Sequence, residues 1–260
     1  MIGASRSAST RQYQVLDTVT NNTPTTSGSY TVPDGVVFIE FEVYGGGGGG
    51  GFGGVVGGRG SSTSAGGQGG GGGAYVKFRF FHYDIHSGDE INYTVGHGGT
   101  AGPNELTAGG DGGDSKITKH MRSSSTITLF GNLSAGGGGG GASRSVQGSA
   151  GVGGDAVGGS IQPGGFDDFN IYNGQITVTD GTTAPARFSD AGGGVAPGNT
   201  GGTAAGPDGG GGGAGASISA TAGFGGQPGG GGGGGRGVAG SVAQQGATGQ
   251  PGRVIIKSYG

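Results

Sequence analysis

The chain of 260 residues has no cysteine and no tryptophan. Without cysteine there are no disulfides and no thiolate metal sites, and folding is indifferent to the redox compartment. Charge is scarce too: 13 Lys and Arg against 16 Asp and Glu leave a formal balance of −3. The basic residues are scattered, so nothing marks a footprint for nucleic acid, and none is expected as a partner. No apolar run approaches the roughly 20 residues that span a bilayer, so no membrane insertion is expected. The opening "MIGASRSASTRQYQ" has no apolar core of the length a secretory signal uses.

What the chain has is glycine. Its 77 glycines and 9 prolines fill about a third of the sequence, a level that ordinarily signals disorder. The other marks of disorder are missing: no long charge block occurs, and Phe, Tyr, Ile and Val gather in clusters. Collagen is excluded, because glycine keeps no strict third position and proline is scarce.

The clusters read as strands. In "GSYTVPDGVVFIEFEVYG", Val37, Ile39, Phe41 and Val43 share one face at period two, with Glu40 and Glu42 on the other. "VPDG" supplies turn chemistry just before it. In "GAYVKFRFFHYDIHSGDEINYTVG", Val76, Phe78 and Phe80 alternate with Tyr75, Lys77 and Arg79; "HSGDE" makes the turn and "INYTVG" returns. Shorter strands follow in "DSKITK" and "STITLFG". The end, "GQPGRVIIKSYG", alternates Val254 and Ile256 with Ile255 and Lys257. Strands at both ends of the glycine territory predict a small antiparallel sandwich that frames it.

Between them lie glycine runs at 45–51, 69–73, 136–141, 209–213 and 229–235. A segment from Ser160 to Asp190 is different in kind, with aromatics, few glycines and a strand pattern in "GQITVT". The expected organisation is a polar arm at 1–27, left free or ordered by a partner, in which "YQVLDTVT" is a candidate strand. A β-rich sandwich with the first glycine tracts covers 28–135. A glycine-rich bundle covers 136–252, with 160–190 inserted, and a strand at 253–260 returns to the sandwich.

Glycine loses more backbone freedom on folding than any other residue, so ordered runs need a physical reason. Polyproline II supplies one: an extended left-handed helix, three residues per turn, without internal hydrogen bonds. Its N–H and C=O groups point outward in three directions and demand partners. Glycine has no Cβ, so neighbouring helices approach closely enough to pair backbone with backbone. Runs of five to seven glycines at about 3.1 Å per residue make rods of roughly 15–22 Å. The expected fold is therefore all-β and irregular: a small antiparallel β-sandwich framing a polyproline II bundle, with essentially no α-helix. Segments joining the rods are free to vary, because the core is backbone.

The order of elements resembles that of glycine-rich domains in bacteriophage tail-fibre and receptor-binding proteins. "GSYTVPDGVVFIEFEVYGGGGGGG" is similar to their opening strand-to-glycine junction. "GGGGAYVKFRFF…SGDEINYTVGHGGTAG" is similar to their second hairpin, "GGDGGDSKIT" to the third element and "GQPGRVIIKSYG" to the terminal strand. The likeness covers roughly 28–260 apart from 160–190. T-even-like distal tail-fibre adhesins are the nearest mechanistic parallel, although this chain lacks their Trp-bearing N-terminal attachment domain. The resemblance implies apical loops that touch an outer-membrane receptor.

Candidate contact loops are Ser61–Ala65, Ala142–Ala150, Phe166–Tyr172, Ala214–Phe224 and Arg236–Gln250. Their aromatics, Phe166, Phe169, Tyr172 and Phe224, join Phe52 as candidate receptor anchors; the alternative, and the more frequent role of such residues, is to cap a bundle end or pack under a loop. Asp167 and Asp168 join the contact set. Adjacent acids can hydrolyse glycosides or bind calcium, but on a loop they ordinarily just solvate it. His82 and His86 in "HYDIH" lack the glutamate and the helix of a zinc protease. No catalytic residue, cofactor or metal is expected.

The reading is a virion protein that binds a host outer-membrane protein or surface glycan. Its arm would meet other virion proteins, and it is a candidate homo-oligomer such as a trimer. The alternatives are a structural virion component on the same scaffold, or an ice-binding protein. The latter needs a flat, regular face, and no three-residue repeat of Thr or Ala is evident to build one.

Overall fold

The computed structural model describes residues 12–56, 63–81, 86–104, 107–122, 125–128, 133–135, 140, 156–157, 176–179, 182, 190–192, 195–196, 200–217, 220–238 and 244–260. Its strands are β1 (Val15–Asn21), β2 (Ser27–Thr31), β3 (Phe38–Tyr44), β4 (Gly54–Val56), β5 (Thr63–Ala65), β6 (Tyr75–Phe81), β7 (Glu90–Thr94) and β8 (Ser115–Arg122). They continue as β9 (Ser125–Thr128), β10 (Leu133–Ala135), β11 (Ala156–Val157), β12 (Ile176–Thr179), β13 (Asp190–Gly192), β14 (Val195–Ala196), β15 (Gly237–Val238) and β16 (Arg253–Tyr259). The described residues contain no helix.

Two antiparallel sheets form the sandwich. One runs β1-β16-β3-β6-β12, the other β11-β10-β8-β7-β2, with β9 beside β8. The period-two faces of the sequence set the core. Ile39, Phe41 and Val43 meet Val76 and Phe78, then Val254 and Ile256. Tyr30, Ile91, Tyr93 and Ile117 close over them from the second sheet. The expected "VPDG" and "HSGDE" turns place Gly35 at φ 78° and Gly88 at φ 80°, a left-handed backbone that glycine accepts without strain.

One boundary differs from the sequence reading. Part of the expected arm is strand β1, paired antiparallel with β16 from Val15↔Tyr259 to Asn21↔Val254. The candidate strand "YQVLDTVT" is thus an edge of the chain's own sheet. Its β-branched residues suit that place.

The sandwich strands run directly into the glycine rods: Tyr44 into Gly45, Ala74 back into Tyr75, Gly252 into Arg253. The bonding of the first rod, 45–53, repeats every third residue. Gly45, Gly48 and Gly51 donate to Ala74, Gly71 and Gln68. Gly46 and Gly49 donate to Gly113 and Gly110, while Gly47, Gly50 and Gly53 donate to Gln250, Ala247 and Gln244. Three successive amides reach three different neighbours, which is the signature of three residues per turn. Positive φ among the described glycines is confined to Gly35, Gly88, Gly206 and Gly229, so the rod backbone is the left-handed polyproline II form.

Further rods cover 66–74, 96–102, 107–113, 200–206, 209–216, 220–227, 229–236 and 244–252. Rod 229–236 is fully surrounded, bonded to 45–53, 66–74, 200–206, 209–216, 220–227 and 244–252. Rods from both sides of residue 135 interleave, so the bundle is one body rather than a domain beginning at 136. A Cβ on Gly50 would overlap the Gly233 carbonyl oxygen, and one on Gly231 the Gly70 carbonyl oxygen. Close approach, more than conformational freedom, is why these positions are glycine.

Candidate functional site

One end of the bundle abuts the sandwich and the other is free. At the sandwich end, Gly206 lies against the Tyr44 and Tyr75 rings, which pack with Ala205 and Ile255. At the free end lie Phe52, the loop after Gly102 in which Thr107 donates to Asn104, and the turn in which Ser217 donates to Ala220 at 2.9 Å. Gln244 returns there to the Arg236 carbonyl. Joining segments thus cluster at the open end, while the tight turns at Gly206–Gly209 and Gln227–Gly229 lie at the sandwich end, where strands also lead into the rods.

The candidate contact residues fall in different places. Phe52 is half-buried at the free end. Phe224 is 68% exposed, yet it stands midway along rod 220–227 rather than on a loop. Ala214–Ala216 also belong to a rod, and Ser217 donates to Ala220 across a turn whose residues 218–219 lie outside the described residues. Within Arg236–Gln250, Gly237–Val238 is strand β15, paired with β14, and 244–250 is rod. Thr63–Ala65 is strand β5 between β4 and β13. Phe166, Asp167, Asp168, Phe169, Tyr172, His82 and the segment Ala142–Ala150 lie outside the described residues. His86 is exposed and donates its backbone amide to Asp89 Oδ2 at 2.7 Å, fixing the hairpin turn.

Phe224 belongs to a regular flank. On rod 220–227, Thr221, Phe224 and Gln227 are exposed, three apart, with Ala220 also exposed beside the turn. Rod 96–102 exposes His97 and Thr100 and continues to exposed Pro103. Rod 244–252 lies between these two, bonded to 96–102 through Gly249→Gly99 and Gly252→Gly96. Its register puts Thr248 at the level of Thr100 on one side and Phe224 on the other. Gln227 Nε2 donates to Gln250 Oε1 at 3.3 Å across the rods. The outward positions therefore recur every three residues, with mixed side chains and not the Thr or Ala repeat that an ice-binding face needs.

A second polar surface lies on the outer face of the first sheet. Glu40 and Glu42 are buried there and bound by three cations. Arg79 donates to Glu40 at 2.7 Å and Lys257 to Glu42 at 2.8 Å, while Lys77 lies 3.0 Å from Glu40. Burial works against the Glu40 charge, but the hydrogen bonds from Arg79 and Lys77 outweigh it and hold the carboxyl below its usual range. The bond to Glu42 raises Lys257 above its ordinary value. Burial, then the Glu42 charge, pushes Tyr44 up to about 12 and Tyr75 higher still. This is a ladder of cross-strand ion pairs, in which Arg79 Nε is buried without a hydrogen-bond partner; the pairing suits cross-strand bonding. Among the described residues, no group of three or more His, Asp and Glu could hold a metal ion.

A family model described as a glycine-rich domain matches residues 22–259. No curated protein matches the chain.

Proposed function

The chain belongs to the glycine-rich domain family, and from that premise we propose that it is a bacteriophage virion protein that binds a receptor on the host-cell surface. It serves as a tail-fibre tip or a fibre-like adhesin, by binding and without covalent chemistry. One observation carries the reading: the molecule has two poles. Val15 pairs with Tyr259, and Gln14 exchanges backbone bonds with Gly260, at the sandwich end remote from the bundle. The turn closed by Ser217 and Ala220, and the segments that follow Phe52, Gly102 and Arg236, lie at the opposite pole. Such a polarity suits attachment to a particle at one end and presentation of loops at the other.

The amide-paired core supports this division of labour. Its stability comes from backbone pairs worth about 1 kcal/mol each, so the turns can change without disturbing matched side chains. The partner expected at the free pole is a host outer-membrane protein or a surface glycan, and at the other pole a virion protein.

The test is saturable binding of the purified chain to outer-membrane fractions from a panel of Gram-negative hosts. The reading expects binding to at least one fraction. Exchange of the turn at 217–220 for a Gly-Ser segment of equal length should abolish it with an unchanged melt. A folded chain that binds no fraction, or immunolabelling spread over a whole capsid, would overturn it in favour of a structural virion component.

A further inference from the structure

We propose that the bundle flank around Phe224 is a second binding site, for an uncharged glycan strand lying along the rods. The site is distinct from the free-end turns and rests on the adhesin reading only for its biological setting.

Phe224 is 68% exposed, yet its backbone is fixed on both sides. Gly223 donates to Ala214 at 2.8 Å and Gly226 to Gly211 at 2.7 Å. A flat apolar plate on a rigid rod needs little ordering when a ligand settles on it. The face of a pyranose, lined by C–H groups, stacks on such a plate as another apolar ring would.

Thr221, Gln227, Thr248 and Gln250 offer hydroxyls and carboxamides, which both donate and accept. That matches the hydroxyl rim of a sugar, whose groups also do both. A protein partner would ask for a larger apolar centre than one ring.

The outward positions of the three rods hold no Asp, Glu, Lys or Arg, and His97 is their one titratable side chain. An anionic polysaccharide would find no counter-charge there, whereas a neutral chain needs none. Spacing agrees: outward rows recur every three residues, about 9 Å at the polyproline II rise. That is close to the length of an extended disaccharide, so alternate sugars meet successive rows.

The experiment uses the full chain on an array of immobilised bacterial O-chain and capsular oligosaccharides, neutral and anionic on one slide. Binding is expected to neutral chains only. Phe224→Ala should weaken it at least tenfold and Gln227→Ala several-fold, and both variants should keep the parent melt because the side chains are exposed. No neutral glycan bound, binding equal in Phe224→Ala, or binding to anionic chains alone would overturn the assignment. So would Phe224-dependent binding to outer-membrane protein stripped of its glycans. Cell adsorption that survives Phe224→Ala without any glycan binding sinks this site and leaves the adhesin reading intact. Glycan binding without adsorption to any host does the reverse.

Discussion

Gly232 donates its amide to the Gly48 carbonyl at 2.9 Å, joining two rods that are glycine on both sides of the contact. A side chain on either rod would hold the backbones apart. The bundle's cohesion therefore depends on the absence of atoms, and this sets its mutational response.

Gly50→Ala would drive a methyl into the Gly233 carbonyl, whose carbon lies 2.6 Å from the new Cβ. Overpacking of this kind costs about 1–3 kcal/mol. Gly211 has open space where its Cβ would go. Gly211→Ala should be neutral or stabilise by up to about 1 kcal/mol, by restricting the unfolded chain. Urea melts of the two variants should move in opposite directions or differ widely.

The Glu40 carboxyl, held below its usual range, contributes stability that is present above the unfolded glutamate value. It is lost as pH falls through the lower folded value. Melting temperature should therefore drop below about pH 4.5, and Glu40→Gln should flatten that acid limb. Arg79→Ala leaves a buried carboxylate short of a partner. It should destabilise more than Glu40→Gln does at neutral pH.

At the alkaline end the sign reverses. Tyr44 is raised to about 12, with Tyr75 above it, so their neutral forms stabilise the fold. That contribution is complete below pH 10 and is lost as pH rises through about 12. Ultraviolet titration should show exposed tyrosines ionising first. The buried ones should follow only in a late step that coincides with unfolding.

The sandwich was legible because alternation is a local signal: Ile39, Phe41 and Val43 face the core as their spacing implies. The polyproline II bundle followed from the steric argument on glycine runs. The sequence reading missed the rods that are not pure glycine. In "GHGGTAG" and "AGGDGG" two residues of three meet neighbours while the third, Thr100 or Asp111, faces out. The signal was a triplet pattern, and a search for unbroken runs passes over it. Phe224 was misplaced for the same reason: between glycines it looks like a loop residue, but the triplet register puts it on a flank. The pairing of β1 with β16 depends on a partner more than 230 residues away, which no local pattern reports.

The family match begins at residue 22, after β1. Deletion of residues 1–21 should leave the fold intact but uncover the edge of β16. Edges of this kind pair with other copies. The truncated chain should melt a few degrees lower and show concentration-dependent association on size exclusion with light scattering.

The most direct test is hydrogen exchange of assigned amides by NMR. Protection should recur at three-residue spacing: Gly99 and Gly102 slow with Thr100 fast, Gly223 and Gly226 slow with Phe224 fast, and all of Gly45–Gly51 slow. Uniformly fast exchange through the glycine tracts, or protection alternating with period two, would contradict a bundle of amide-paired left-handed rods.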